Sequence, residues 1–246
     1  MKKRNAKRVR SAVFGALGAI AVVVTVTAAG AVTDPYVSGS TGYDVSYPNC
    51  TAAPTGQFGI VGVNGGRPFT LNSCFAPEYS AAATTGSASA YINTAYSGAY
   101  RKNIVPACAS TVPAGLGGSQ AQAWEIGCSE AAYSVANDGG VSPTMWWLDV
   151  ETGNSWASSN LALNRQAIQG AVSYLLTVNP NVGVYSDAAY WKAITGGNAW
   201  TPSGLVADWV ASGGCPTATK NTAFTSSPVW LAQNGTSGGV DSDLAC

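Results

Sequence analysis

Apolar and polar positions along the chain fall into two rhythms. Short runs alternate with a period of two or are apolar throughout, and longer stretches between them repeat every three to four residues. These are the periods of strands and of amphipathic helices. The first rhythm predicts strands at 42–46, 58–63, 90–93, 145–151, 182–186, 205–211, 229–233 and 240–244. The second predicts helices at 73–83, 120–136 and 160–178. Trp124, Cys128, Ala131 and Val135 share one stripe of 120–136, and Leu161, Ile168, Val172 and Leu175 share one of 160–178. Ser158, Ser159 or Asn160 supplies the N-cap of that last helix. Asp187 caps a short helix that runs to Thr195 and stops at Gly196-Gly197. Eight short strands, with helices mainly between the early ones, argue for an α/β, TIM-barrel-like fold. The expected form is a parallel barrel, with about five β/α units followed by three strands with few helices. The stretch 96–119 bears Gly and Pro and is long for a connection, which implies structure or function of its own.

The run Met145-Trp146-Trp147-Leu148-Asp149-Val150-Glu151 carries the candidate chemistry. On a strand Asp149 and Glu151 share one face, with Cα atoms about 6.7 Å apart, and Trp146, Leu148 and Val150 take the other. Two acids at the end of an apolar strand are costly unless that end opens into a polar cleft. Such a pair can divide acid and stabilising roles in cleaving a glycosidic bond. The plainer reading is an exposed strand end with one acid capping the next helix. In a parallel barrel the C-terminal strand ends form the active face. That rule gathers Asp44, Asn64, Asn93, Asp149, Glu151, Tyr185, Asp208, Gln233, Asp241 and Asp243 on one rim, with acids of the first, fourth and eighth strands converging. Burial against Trp147 and the charge of Asp149 are expected to raise the Glu151 pKa. Trp146 and Trp230 are either sugar-stacking faces or core.

Composition narrows the chemistry. Residues 1–31 combine a basic start, an apolar run from Ala12 to Ala28 and the small-residue site Ala29-Gly30-Ala31, which reads as a secretory signal peptide. A short lead-in at 32–41 and a single domain at 42–246 follow. Six of the twelve basic residues and none of the twelve acidic ones lie in 1–31, leaving a net charge of −6 beyond it. That balance argues against a nucleic-acid partner. No stable membrane anchor is expected after cleavage, and the product should be a secreted monomer without cofactor or metal. The chain has no His, which excludes a Ser-His-Asp triad, a Cys-His pair and His-ligated zinc. Six cysteines in an exported chain imply three disulfides. Of fifteen possible connectivities, pairing of sequence neighbours is favoured: Cys50–Cys74, Cys108–Cys128 and Cys215–Cys246. Thiolate metal binding is disfavoured because no C-x-x-C occurs.

Five pieces now resemble a known family. Gly42-Tyr43-Asp44-Val45-Ser46 resembles the G-x-D-V-S opening of family 25 glycoside hydrolases, secreted lysozymes and N-acetylmuramidases with a barrel of five β/α units and three further strands. Leu148-Asp149-Val150-Glu151 is similar to their L-D-x-E strand, Gly183-Val184-Tyr185-Ser186 to their fifth strand, Asp208-Trp209-Val210-Ala211 to their W-[IV]-A strand, and Gly239-Val240-Asp241-Ser242-Asp243 to their closing V-D-x-N. The resemblance implies Glu151 as general acid and Asp149 as the group that orients the substrate's N-acetyl arm, in a retaining, substrate-assisted route. It implies Asp44 and Asp241 as supports of the pair or the sugar and a cell-wall polysaccharide as substrate, while the strand-end rule adds Tyr185, Asn64, Asn93, Gln233 and Asp243 as substrate-binding residues. The second strand departs from the pattern: Gly62-Val63-Asn64-Gly65-Gly66 lacks the family's Lys and Glu. The third ends Ala90-Tyr91-Ile92-Asn93 where the family has Tyr-His. In these departures the chain also resembles the glycoside hydrolase-like domains of secreted actinobacterial proteins. Three readings follow: a glycosidase acting on peptidoglycan or another wall polysaccharide, a carbohydrate-binding barrel without turnover, and, more weakly, a cation-dependent structural module.

Overall fold

The computed structural model describes residues 32–47, 49–50, 54–197, 200–211, 213–217, 223–237 and 240–246. The expected signal peptide and Gly239 of the closing motif lie outside the described residues.

The described chain begins with β1 (Thr41–Val45), β2 (Gly59–Gly62), α1 (Phe75–Ala83) and β3 (Ala88–Asn93). A 3-10 helix (Gly98–Asn103), α2 (Pro106–Ala109) and α3 (Gly118–Ala136) lead to β4 (Trp146–Asp149). Next come α4 (Leu161–Leu175), β5 (Val182–Ser186), α5 (Ala188–Thr195) and β6 (Ala207–Ala211), and the chain closes with α6 (Cys215–Thr217), β7 (Val229–Ser237) and β8 (Val240–Ala245). The strands close into one barrel in sequence order. Neighbours from β1 to β7 are parallel. The expectation of a parallel barrel fails at the last strand, because β8 runs antiparallel to both β7 and β1. Only two residues separate β7 from β8. A parallel return needs a crossover of a dozen or more residues, whereas two suffice for a hairpin.

Strand alternation sorts the core into two layers. Trp146, Leu148, Val150, Val184 and Val210 face the helices together with Ile168 and Val172 of α4. Tyr91, Met145, Trp147, Tyr185, Trp209 and Leu231 fill the barrel. Trp146 and Trp230 are both buried, so the core reading holds for them. The lead-in contributes to this interior. Tyr36 lies between Phe58 and Trp147, at ring-centroid distances of 4.9 and 6.4 Å. Its hydroxyl is 2.6 Å from Ser89 Oγ and accepts from Trp147 Nε1 at 3.0 Å.

Helices α3 and α4 cross at backbone contact. A Cβ on Gly127 would stand 1.8 Å from the Ala167 carbonyl oxygen, and one on Gly170 would stand 2.1 Å from that of Trp124. Asp187 caps α5 by accepting from Tyr190 N at 2.7 Å, and Gly196 ends it in the left-handed conformation. Asn160 occupies the N-cap of α4 but makes no side-chain cap bond. Asn164 fixes this end instead. It accepts from Ala157 N at 2.9 Å and donates to the Ala157 and Ile194 carbonyls at 2.9 and 2.8 Å.

All three expected disulfides are present: Cys50–Cys74, Cys108–Cys128 and Cys215–Cys246. The second pins the long 96–119 connection, which holds the 3-10 helix and α2, onto α3. No described helix is long and apolar enough to cross a membrane.

Candidate active site

The open rim of the barrel holds a cavity of about 320 Å³. Asp44 of β1, Asn93 of β3, Asp149 of β4 and Glu151 just beyond it are among its lining residues, as are Tyr185, Gln233 and Asp241. The reversal of β8 explains why Asp241 is there. A strand that runs backwards begins where the others end, and Asp241 lies directly opposite Asp44 in the β1–β8 ladder. Acids of the first, fourth and eighth strands therefore converge as expected, the eighth through its start rather than its end.

Strand register sets the rest of the geometry. Asp149 is flanked by Asn93 on β3 and Tyr185 on β5. Asn93 Nδ2 donates to Asp149 Oδ2. Asp149 Oδ1 is buried and receives no donor from any described residue. Glu151 is more exposed than Asp149, and the turn after it is held by Trp156 Nε1 donating to the Glu151 carbonyl at 2.8 Å. Across the cavity Tyr185 OH donates to Gln233 Oε1 at 2.8 Å, and Gln233 Nε2 donates to Asp44 Oδ2 at 3.0 Å.

Burial dominates the electrostatics. It pushes Asp149 well above the usual carboxylate range, and the charges of Glu151 and Asp44 add to this. Asp44 rises to about 7, mainly by burial, against the stabilising bond from Gln233. Glu151 is raised by burial and then by the charges of Asp187 and Asp241. Asp149 and Glu151 act on each other as a pair, and Trp147 lies in the barrel interior with Tyr36 and Trp209. Among the described residues, no three Asp, Glu, His or Cys side chains are grouped to hold a metal ion.

Three expected rim residues lie elsewhere. Asp243 is fully buried one step deeper in β8 and does not line the cavity, because its strand descends into the barrel where the other strands rise. Asn64 is buried behind the rim, where its Nδ2 donates to the Asn93 carbonyl at 2.9 Å and its Oδ1 accepts from Asn93 N at 3.3 Å. It therefore braces Asn93. Asp208 points away from the barrel and accepts from Thr225 Oγ1 at 2.7 Å and Thr225 N at 3.0 Å. Its neighbour Trp209 lines the cavity instead, as do Tyr91, Ser46 and Gly66. The i, i+2 rule applied to Asn93 identifies Tyr91, whereas nothing in the sequence marks Gly66.

The model of the family described as Lysozyme-like protein 1 matches residues 79–226. No curated protein sequence matches the chain. Three solved structures share the fold. A muramidase from Trichobolus zukalii has a TM-score of 0.59 at 17% identity, over 84% of this chain and 93% of that one. A glycosyl hydrolase 25 of Streptococcus pneumoniae has a TM-score of 0.54 at 13% identity, over 84% and 86% of the two chains. The catalytic domain of endolysin ply40, from bacteriophage P40 of Listeria monocytogenes, has a TM-score of 0.53 at 15% identity, over 85% and 93%.

Proposed function

The chain belongs to the lysozyme-like protein 1 family, and from that premise we propose that it is an exported glycosidase that cleaves peptidoglycan or another cell-wall polysaccharide. The single observation behind this reading is the unequal carboxyl pair at the cavity. Asp149 is buried with one oxygen lacking a donor, and Glu151 lies beside the opening with its pKa raised.

The division of labour follows from that inequality. Glu151, the more exposed, meets the glycosidic oxygen and delivers its proton as the bond breaks. A substrate N-acetyl group brings an N–H, which supplies the donor that Asp149 Oδ1 lacks. Its carbonyl oxygen is then aimed at the anomeric carbon, giving the retaining, substrate-assisted route of family 25. Asn93 holds Asp149 from the other side, with Asn64 behind it. Asp44, Asp241, Tyr185 and Gln233 form the wall against which the sugar sits. Residues 1–31 direct export as a signal peptide, and the three disulfides fit an oxidising compartment.

Release of reducing ends from purified peptidoglycan tests the reading. Glu151→Gln keeps the shape and removes the proton, and it should lower turnover by roughly 10²–10⁴-fold while sugar binding persists. The carbohydrate-binding reading without turnover is favoured by one observation: the end of β2 lacks the Lys and Glu of family 25, and Asn64 is turned to Asn93 instead of the cavity. Sugar binding with no reducing ends from the wild type would replace the glycosidase by that reading.

A further inference from the structure

Beneath the cavity lies a carboxyl group that the proposed chemistry does not use. Asp243 is paired with Gly42 in the β1–β8 ladder and with Gln233 in the β7–β8 ladder. Two residues earlier, Asp241 is paired with Asp44. Side chains two apart on a strand share a face, so Asp243 is the diagonal neighbour of Asp44, one step deeper. Its ladder partner Gly42 has no side chain, because the Phe58 ring takes that space, and the Asp44 and Asp243 carboxyls lie within hydrogen-bonding reach of each other. Asp243 is 0% exposed.

The two oxygens of Asp243 are in different situations. Oδ1 accepts from Trp209 Nε1 at 2.8 Å. Oδ2 is buried, and no described residue donates to it. An ionised oxygen there would be desolvated without compensation, beside a second carboxylate. A proton on Oδ2 removes that cost, because the group then becomes the donor and Asp44 the acceptor. Asp44 is already held on its other side by Gln233, and Gln233 by Tyr185. With that proton in place, one hydrogen-bonded chain links Tyr185, Gln233, Asp44, Asp243 and Trp209, on five strands.

We propose that Asp243 is a positioning residue that shares its proton with Asp44, and that removing this proton releases Asp44 and the Gln233–Tyr185 wall of the cavity. Only the identity of the reaction served rests on the glycosidase reading; the pair itself rests on the geometry. Asp243 is faced by Asp44 from β1, Asp241 from its own strand, Tyr185 from β5 and Tyr36 from the lead-in. None of these is cationic, and the Trp209 N–H serves Oδ1 alone, so no described charge offsets a second negative one. Burial, followed by the charge of Asp44, accordingly pushes Asp243 well above the carboxylate range. The pair titrates as a unit.

Asp243→Asn isolates the proton. The amide keeps an acceptor for Trp209 and offers Asp44 an N–H at every pH. An acid whose pKa is raised on folding binds more protons folded than unfolded, so its contribution to stability falls as pH rises from the ordinary carboxylate range through the folded value. The unfolding temperature of the wild type should therefore fall over that range, and the fall should be shallower in Asp243→Asn. Wild-type-minus-variant infrared spectra at neutral pH should show one protonated carboxyl band, that of Asp243, over the bands that Asp149 and Glu130 give in both. Superimposable pH profiles of unfolding would overturn the proposal. Should the variant fail to fold, a wild-type spectrum at neutral pH with no protonated carboxyl band overturns the proposal. A wild type that hydrolyses nothing but shows the unfolding difference defeats the glycosidase reading and leaves the pair standing.

Discussion

Asn93→Ala probes the electrostatics of the carboxyl pair without touching either acid. The substitution removes the donor to Asp149 Oδ2, and Oδ1 already lacks one. Asp149 would then be buried with no donor among the described residues. While Asp149 is protonated, the loss is that of a neutral hydrogen bond, about 0.5–1.5 kcal/mol. Once it ionises, the loss is that of a bond to a charge, about 1.5–3 kcal/mol. The difference, about 1–1.5 kcal/mol, corresponds to a further rise of about one pKa unit. Asn93 is only half-buried, so water replaces part of the bond and these values are upper bounds. For a domain near 200 residues, 1 kcal/mol moves the unfolding temperature by about 2–4 °C. The variant should therefore unfold a few degrees below wild type in acid, and lower by about a further 2–6 °C on the alkaline side of the Asp149 titration. Scanning calorimetry across pH measures both. Equal losses at the two ends would show that Asp149 does not change charge there, or that Asn93 does not support its charged form, and would refute the reasoning.

Two further outcomes follow from particular contacts. Gly127→Ala sets a Cβ against the Ala167 carbonyl, so α3 and α4 must separate; the cost should reach about 1–3 kcal/mol or more, read from denaturant midpoints. Asp208→Asn removes one of the acceptors that hold Phe224 and Thr225. It should cost about 1–3 kcal/mol and leave the hydrolysis rate per folded molecule unchanged, because Asp208 faces away from the cavity; a large fall in that rate would contradict its placement.

Much of the barrel and half of its site follow from local pattern. Period-two alternation places Asp149 and Glu151 on one face of β4 and Trp146, Leu148 and Val150 on the other, as the two core layers show. Asp187 before an apolar turn, with Gly196 after it, marks both ends of α5. The cysteines pair with their sequence neighbours, across separations of 24, 20 and 31 residues. These signals are local: a side chain's face, a cap and a short loop depend on residues within one element or the next.

The remaining half required closure of the barrel. Alternation says that Asp208 and Trp209 point to opposite faces but not which face is the interior; packing against Tyr91, Trp147 and Tyr185 put the indole inside and sent the acid to Thr225. Nor does a strand's residue order say how deep each residue sits, because depth depends on the tilt and stagger of all eight strands. Asn64, at the end of the β2 run, therefore turned behind the rim to hold Asn93. The two-residue link to β8 reversed that strand, bringing Asp241 to the cavity and carrying Asp243 beneath it. The sequence alone determined which residues could face the interior. The tertiary structure decided their height within it, and burial at that height made one of two similar acids a lining group and the other a buried neighbour of Asp44.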